Sequence, residues 1–366
     1  MIRWRYITGE NEKASLALAS DEFIMRKYVS WASSDYPEPM LRIYTYRPNC
    51  AIVGRFQNLS AEVNLQICRD LDIEVNRRMT GGGSAIMGEK QLMVALASSV
   101  DHPIIPAHPA RILPKLARGM IAGLAELGIK AEFRPKNDIV VNGRKIGGSA
   151  ICIEENGAFL YHATLLVEFD VDLMVRVLDT PMEKISDKGI SSFKERMITV
   201  REMLGHEISV SDAREAICRG FEKAFKMTAV HAPFNPMERE EILKIEKNKY
   251  LSQEWLDQRQ PASDMVGECV QKTPAGLVRA YVSLIGDTIK SALVTGDFFS
   301  GNRVIHDIEA ALKWGRSDEE SIARTISVAM SPSANSVHGI DAQTLGSIIY
   351  RAVVNAKSKT ATEDSA

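Results

Sequence analysis

Three consecutive glycines follow a pair of arginines in this sequence, separated from it by two residues. The segment reads Arg77-Arg78-Met79-Thr80-Gly81-Gly82-Gly83. Glycine lets a ligand approach main-chain N–H groups closely, and the neighbouring arginines can neutralise a phosphate or a carboxylate. The segment therefore predicts an anion site, although a flexible turn with solvent-exposed arginines has the same composition. The G-x-x-x-x-G-K-[ST] spacing of a Walker loop does not occur.

A second group of polar residues surrounds a lysine in the middle third of the chain. Lys145 lies in the stretch 142–148, which we predict to be a loop between two strands. Such a lysine can place its charge on an acyl oxygen and a phosphate together, and so stabilise charge that develops in acyl transfer. Taken alone, a loop lysine is more often a solvated surface charge. His162, on the following strand, is likewise more often a hydrogen-bonded strand residue than an acid or a base.

The elements that position these residues can be read from the spacing of apolar side chains. Helical spacing occurs at residues 60–71, 109–127 and 211–227, and Ser211 is predicted to cap the last of these helices. Short β-prone runs predict strands at residues 41–53 (two strands around a turn), 138–141, 150–153 and 161–169. Strands and helices in this order predict a mixed α+β domain.

The length and a change in composition predict two domains. The chain has 366 residues, and a charged segment flanked by prolines lies between residues 231 and 261. We place one domain at 1–240 and a second at 241–356, and we expect the polar residues 357–366 to be disordered. The second domain should contain a hairpin around Gly286-Asp287, then two helices capped by Ser317 and Asp341.

The overall composition excludes several classes of function. The net charge is -2, which argues against a general affinity for nucleic acid or membrane lipid. The first residues lack the pattern of a secretory signal and no run of 18 apolar residues occurs, so we expect a cytoplasmic protein. The 5 cysteines and 7 histidines are scattered, so no side-chain motif predicts a metal site.

Several segments, taken in order, resemble the lipoate–protein ligase A family of the biotin/lipoate ligase superfamily. The resemblance covers residues 1 to about 235 and rests on the segments 18–22, 53–58, 62–64, 77–83, 137–138, 143–150 and 162–166. Weaker similarity to the accessory domain of these ligases extends through the predicted hairpin and residues 296–312. The resemblance implies an α+β fold, with a mixed β-sheet catalytic domain and a small α+β C-terminal accessory domain.

This resemblance also implies an activity. ATP and lipoate, or octanoate, would give an acyl-adenylate, and the acyl group would then pass to a lysine of a lipoyl-domain carrier protein. Mg²⁺ would accompany ATP, near Asp138. Lys145 would be the catalytic residue that contacts the adenylate and acyl oxygens. The resemblance assigns the other substrate- and ATP-binding positions to Arg77, Arg78, Thr80, Gly81, Gly82, Gly83, Asn137, Asp138, Gly147, Gly148, Ser149, His162 and Thr164.

The sequence departs from the family pattern at two places. Met87-Gly88 replaces the usual His-Asp pair, and Ala163 replaces the usual glycine after His162. Two alternatives therefore remain open. One is an ATP-independent octanoyl or lipoyl transferase that forms a thioester on Cys152, and the other is a non-catalytic lipoyl-binding protein. A biotin ligase is disfavoured, because its glycine-rich arginine motif is absent.

Overall fold

The computed structural model describes residues 2–29, 38–106, 111–178, 193–301, 303–331 and 337–363. The chain forms two compact units. The first comprises Met1–Val53, Glu62–Thr80 and Ser84–Leu256, and the second comprises Gly54–Ala61, Gly81–Gly83 and Asp257–Ala366. Two short segments of the N-terminal half thus belong to the second unit, and one of them is the glycine run.

The first unit is built on a mixed sheet of 8 strands. Its strands are β1 (Ile2–Glu12), β2 (Met40–Tyr46), β6 (Gln91–Ser99), β7 (Glu132–Arg134), β8 (Asp138–Val141), β9 (Arg144–Ile153), β10 (Ala158–Leu166) and β11 (Met227–His231). Their order in the sheet is β11-β1-β2-β6-β10-β9-β8-β7, with β1 parallel to β2 and β11 and the other pairs antiparallel. A smaller sheet contains β3 (Cys50–Val53), β4 (Glu74–Arg77) and β5 (Ala85–Met87). The predicted mixed-sheet α+β fold is confirmed.

Helices cover both faces of the large sheet. They are α1 (Ala14–Val29), α2 (Leu65–Asp70), α3 (Ile112–Glu126), α4 (Val171–Val177), α5 (Val200–Leu204), α6 (Val210–Phe225), α7 (Pro236–Ile245) and α8 (Gln253–Asp257), with a π-helical turn at Glu246–Tyr250. Residues of α3 and α6 share one hydrophobic core with the sheet, and residues of α1 and α7 share another. The sheet is therefore buried on both faces, which explains its nearly continuous apolar strands.

The second unit contains an antiparallel sheet of 3 strands and three helices among its described residues. The strands are β12 (Gly267–Thr273), β13 (Gly276–Ile285) and β14 (Thr288–Gly296), and the helices are α9 (Val304–Leu312), α10 (Glu319–Ala329) and α11 (Ala342–Glu363). The predicted hairpin around Gly286-Asp287 is confirmed, since Ile285 pairs with Thr288. The predicted cap is also confirmed, because Asp341 accepts a hydrogen bond from the Thr344 N–H at 2.7 Å.

Several predicted boundaries differ from the structure. The cap of α6 is Ser209 and not Ser211, and the cap of α10 is Asp318 and not Ser317. In both cases a neighbouring side chain reaches the third helical N–H group. Residues 107–110 of the third predicted element lie outside the described residues.

The C-terminal boundaries differ as well. Residues 357–363, predicted to be disordered, continue α11, and Lys357 forms an ion pair with Asp287 at 2.6 Å. The first unit extends to Leu256 and not to residue 240, because Ile242, Ile245 and Tyr250 are buried in the core beneath α1. The charged stretch is thus a packed helix and not a connector.

Candidate active site

Lys145 lies on a strand and not in the predicted loop. The chain turns at Asn142 and Gly143, both with positive φ (50° and 78°), and β9 begins at Arg144. An Asn-Gly pair favours such a two-residue hairpin turn, so it leaves no loop between β8 and β9. The Lys145 ammonium forms an ion pair with Asp138 at 2.7 Å, and both side chains are partly exposed.

Gly148 allows the Lys145 side chain to lie back along its own strand, and Gly147 allows β9 to approach β10 closely. A Cβ atom on Gly148 would lie 3.2 Å from Lys145 Nζ, and one on Gly147 would lie 2.2 Å from the Thr164 carbonyl oxygen. The Gly148 N–H also donates to Thr164 Oγ1 at 3.1 Å. The structure therefore brings together five predicted site residues, with the Lys145 ammonium above Gly148.

Asn137 and Ser149 are joined by hydrogen bonds next to this cluster. Asn137 Nδ2 donates to the Ser149 carbonyl at 2.8 Å, and the Ser149 hydroxyl donates to the Asn137 carbonyl at 3.0 Å. The Ser149 N–H donates to the same Asn137 carbonyl at 2.8 Å. Because these groups satisfy one another, they fix the start of β8 against β9 and thereby the position of Asp138.

His162 lies at the centre of a buried polar chain. Its Nε2 atom is 3.0 Å from Asp21 Oδ2 in α1, and its Nδ1 atom is 3.1 Å from Thr80 Oγ1. Asp21 also accepts from Arg42 Nη1 at 2.6 Å and from the Tyr44 hydroxyl at 2.5 Å. All five side chains are buried, so this chain is shielded from water.

The ionised form of Asp21 is stabilised by its neighbours despite its burial. Burial by itself raises the pKa of this carboxyl, but the Arg42 charge and the hydrogen bonds from His162 and Tyr44 outweigh it. The resulting pKa lies below its usual value, so the carboxylate is ionised at neutral pH. Burial and the adjacent Asp21 charge raise the pKa of Tyr44 well above its usual value, so its hydroxyl remains a donor.

Lys145 and His162 face the same side of the sheet. His162 pairs with Ala150 on β9, and Thr164, two residues further along β10, contacts Gly148. Alternate residues of a strand share one face and are about 7 Å apart. The Lys145 ammonium and the His162 imidazole therefore lie on one face of the sheet, the ammonium partly exposed and the imidazole buried.

The two arginines of the glycine-run segment are placed differently from the prediction. Arg77 is fully buried, and its guanidinium donates to the carbonyls of Leu256 at 2.7 Å and Trp255 at 3.2 Å. Arg78 Nη1 donates to the Ile52 carbonyl at 3.2 Å. Arg77 thus anchors the C-terminal end of the first unit, whereas binding of an acyl group or phosphate by either arginine stays a prediction.

The glycine run packs against the second unit's own main chain. A Cβ atom on Gly81 would lie 2.5 Å from the Phe298 carbonyl oxygen, and the Gly82 N–H donates to that oxygen at 3.4 Å. Gly82 has φ +93°, and the Asp297 carboxylate is 3.9 Å from the Cβ position of Gly83. Close packing therefore accounts for Gly81, and a carboxylate beside Gly83 disfavours a phosphate there.

Sequence reasoning missed Arg42 and Tyr44, and it identified Asp21 only within the family resemblance. The available signal was an arginine in the otherwise apolar strand Met40–Tyr46 and an acidic residue in the apolar helix Ala14–Val29. Such charges are buried only when they are paired. The partner of each could not be identified, because 141 residues separate Asp21 from His162.

The positions that depart from the family pattern have structural explanations. Met87 is buried in the core beneath α1, and a Cβ atom on Gly88 would lie 2.1 Å from Asn49 Oδ1. Ala163 is buried on the opposite sheet face from His162. Across the part of the chain that the structure describes, no group of three or more His, Cys, Asp or Glu side chains could hold a metal ion.

A separate pocket of about 720 Å³ opens beside the start of β9. Arg144, Lys194 and Lys90 line it, and each is paired with a carboxylate, namely Glu202, Asp172 and Glu168. Because its charges are satisfied internally, we assign no ligand to it. None of the helices in the described ranges is both long and apolar enough to cross a membrane.

Comparison with known proteins places the chain in a family. Residues 13–222 match the lipoyl protein ligase A/B catalytic domain, and the chain belongs to that family. Octanoyltransferase LipM of Brevibacillus brevis is 27% identical over 278 residues, which cover 70% of this chain and 99% of that protein. LipM of Carboxydothermus hydrogenoformans is also 27% identical, over 272 residues.

Solved structures agree on the fold. The chain is 27% identical to a bipartite lipoate protein ligase of Thermoplasma acidophilum, with a TM-score of 0.63, over 72% of this chain and 100% of that one. LipL1 of P. falciparum is 18% identical but has a TM-score of 0.73 and covers 96% of this chain. The likeness to LipL1 shows that nearly the whole chain has this fold.

The relatives correct the main functional prediction. The prediction of an ATP-dependent, adenylate-forming lipoate–protein ligase is wrong, because the curated relatives are octanoyltransferases, whose reaction is an ATP-independent transfer. ATP and Mg²⁺ lose their support as cofactors with it. The assignment of the glycine run to substrate binding stays a prediction.

Proposed function

We propose that this chain transfers an octanoyl group, without ATP, from a thioester donor to a lysine of a lipoyl-domain protein. The observation that supports this proposal best is the similarity to octanoyltransferases over 99% of the B. brevis protein's length. Lipoate has the same number of chain carbons as octanoate, so the proposal includes a lipoyl group as a second substrate. The donor is a carrier protein that holds the acyl chain as a thioester.

The transfer needs only one chemical step once the donor is a thioester. The acceptor lysine nitrogen attacks the thioester carbonyl carbon, a C–N bond forms, and the C–S bond breaks to release a thiol. Negative charge develops on the carbonyl oxygen during this attack. Lys145, which lies above Gly148, is the cation that stabilises this charge.

A cysteine-bound intermediate is not required for this chemistry. A reactive cysteine is partly exposed and carries a lowered pKa. Burial raises the pKa of Cys50, Cys68 and Cys269, and it raises that of Cys218 to about 12. Cys152 is buried beside Leu160 in the core beneath α1, on the far side of the Ala150–His162 pair from Gly148. We therefore propose direct transfer from donor to acceptor, with a thioester on Cys152 as the competing route.

The remaining assignments rest on this function. The first unit, residues 1–53, 62–80 and 84–256, is proposed as the catalytic domain, and the second unit as an accessory domain. The acceptor is proposed to be a lipoyl domain, since the structural analysis of the T. acidophilum lipoylation system covers the ligase and its E2 lipoyl domain. A cytoplasmic location is likewise a proposal.

The test is an acyl-transfer assay with intact-mass detection of the acceptor. Purified protein is mixed with an octanoyl-carrier thioester and an unmodified lipoyl domain, with no nucleotide present. The proposal predicts octanoylated lipoyl domain and released carrier thiol. Cys152→Ser should be as active as wild type, whereas a dead Cys152→Ser protein would replace direct transfer by the thioester route.

A parallel reaction contains free octanoate or lipoate with MgATP in place of the thioester. No pyrophosphate release is expected. Pyrophosphate release together with acylation of the lipoyl domain would overturn the proposed function. Absence of acylation in both reactions would instead leave the non-catalytic alternative.

A further inference from the structure

The buried chain through His162 has a defined direction of hydrogen bonding. An ionised carboxylate can only accept, so the Asp21 oxygen 3.0 Å from His162 Nε2 requires a proton on Nε2. In the neutral imidazole the other nitrogen is then an acceptor. Thr80 Oγ1, 3.1 Å from Nδ1, must therefore donate its proton to the ring.

This arrangement has the logic of an acid–base triad. A carboxylate holds one imidazole nitrogen protonated, and the opposite nitrogen is ready to take a proton from a hydroxyl. Thr80, His162 and Asp21 come from a loop, β10 and α1, and 82 residues separate Thr80 from His162. Their convergence is therefore a property of the fold and not of a local motif.

We propose that Thr80, His162 and Asp21 form a proton relay that serves as the general base for the attacking lysine in the acyl transfer. The lysine ammonium must lose protons before and during its attack on the thioester. One proton passes to Thr80 Oγ1 while the Thr80 proton passes to His162 Nδ1, and Asp21 stabilises the resulting imidazolium. The ammonium loses two protons in all. One goes to solvent before the attack, and the other passes through the relay to the departing thiolate, so one proton is released overall.

The surroundings of the relay favour this role. Asp21 is held by Arg42 and Tyr44, and Arg42 also pairs with Glu12 of β1, so the carboxylate is fixed in position. Tyr46 lies behind it, with its hydroxyl 3.0 Å from the Tyr44 hydroxyl. Thr80 is fully buried, which keeps the relay dry, and Lys145 lies on the same sheet face as His162.

In this scheme Asp21 is a positioning residue, because it acts through His162. The matched control is its neighbour Glu22, which is also buried but pairs with Lys249 at 2.6 Å and Tyr250 at 2.7 Å. Asp21→Asn should lower kcat of octanoyl transfer by about 10²-fold or more and leave KM nearly unchanged. Glu22→Gln should retain wild-type kcat.

A second pair of variants tests the hydroxyl with little change in shape. Thr80→Val, which replaces the hydroxyl by a methyl group, should lose about as much kcat as Asp21→Asn, whereas Thr80→Ser should retain activity. The double variant with Asp21→Asn should be no slower than the slower single variant, because members of one relay fail together. Thermal unfolding identifies any variant that has lost its fold.

A spectroscopic readout is independent of activity. In the full-length protein with ¹⁵N-labelled histidine, correlation spectra should show His162 with the proton on Nε2, and Asp21→Asn should change this pattern. The relay rests on the proposed function, but different results would contradict the relay and the function. An inactive wild-type protein would count against the function. Active Asp21→Asn or Thr80→Val protein, or a His162 proton on Nδ1 in wild type, would overturn the relay.

Discussion

At the residue scale, Lys145 owes its position to the absence of neighbouring side chains. Gly148 leaves room for the ammonium above the sheet, and Asp138 holds it at 2.7 Å. The side chain is 41% exposed, so it contributes little to the stability of the fold. The Lys145 ammonium can therefore interact with a group that enters from solvent. Such an interaction is what stabilises the charge of a transition state.

Lys145→Ala is therefore expected to lower the rate of acyl transfer by roughly 10²- to 10³-fold. The free energy of unfolding should change by less than about 0.5 kcal/mol, because the side chain is partly solvated. Transfer kinetics and urea unfolding measure the two effects. The matched control is Lys90→Ala, which breaks a similar surface ion pair with Glu168 at 2.9 Å. Equal activity of the two variants would remove Lys145 from the mechanism.

At the element scale, glycines set how closely α3 and α6 approach. A Cβ atom on Gly220 of α6 would lie 2.1 Å from the Gly123 main-chain nitrogen of α3. A Cβ atom on Gly119 would similarly lie 2.5 Å from the Phe221 ring. Main-chain atoms cannot move aside as the end of a flexible side chain can. The close packing of α3 and α6 therefore requires residues without a Cβ atom at these positions.

Two glycine-to-alanine substitutions should therefore have opposite signs. Gly220→Ala is expected to destabilise the protein by roughly 1–3 kcal/mol, because the helices must separate. Gly346 of α11 has ordinary contacts of 3.5 Å or more, so Gly346→Ala should stabilise by up to about 1 kcal/mol through helix propensity. Denaturant unfolding measures both. Stabilisation by Gly220→Ala would show that the helix pair is not closely packed.

The buried carboxylate of Glu22 should make the free energy of unfolding depend on pH. Burial raises its pKa, but Lys249, Arg26 and Tyr250 lower it further than burial raises it, and the pKa lies below its usual value. A lowered folded pKa adds stability above the unfolded pKa, and this is lost as pH falls through the folded value. Glu22→Gln should cost roughly 1.5–3 kcal/mol at pH 7 and progressively less below about pH 4. A cost independent of pH would contradict the pairing.

Particular elements show what could be predicted from the sequence. The hairpin at Gly286-Asp287 and the Asp341 cap were predictable, because turns and caps depend on local residue types. The strand Arg144–Ile153 was taken for a loop over part of its length, since its glycines have low strand propensity and its pairing with β8 and β10 is tertiary.

The site was predictable only in part for the same reason. Lys145, His162 and Thr80 were identified by type and family resemblance, and the structure gives each a partner. The anion site at the glycine run stays a prediction, and the sequence does not show that Gly81 faces the Phe298 carbonyl. Residues that form a hydrogen bond across more than a hundred positions, such as Asp21 and His162, produce no recognisable motif in the sequence.

At the scale of the whole molecule, residues 246–256 hold the first unit together. Lys249 and Tyr250 pair with Glu22, and the carbonyls of Trp255 and Leu256 accept from the buried Arg77. A chain that ends at residue 256 keeps these partners. A chain that ends at residue 239 leaves two buried charges without them, which is costly.

Truncation should reveal this difference. The 1–256 fragment is expected to unfold at a higher urea concentration than the 1–239 fragment, by the equivalent of about 3 kcal/mol or more. Circular dichroism during a urea titration measures both midpoints. Coincident midpoints would show that residues 246–256 do not belong to the first unit.

The central claim is that the acyl group comes from a thioester and not from a free acid activated by ATP. One competition reaction tests it directly. The full-length protein receives a lipoyl domain, unlabelled octanoyl-carrier thioester, and deuterated octanoate with MgATP, and the mass of the acylated lipoyl domain is measured. The account predicts unlabelled octanoyl-lipoyl domain. Deuterated product would contradict it.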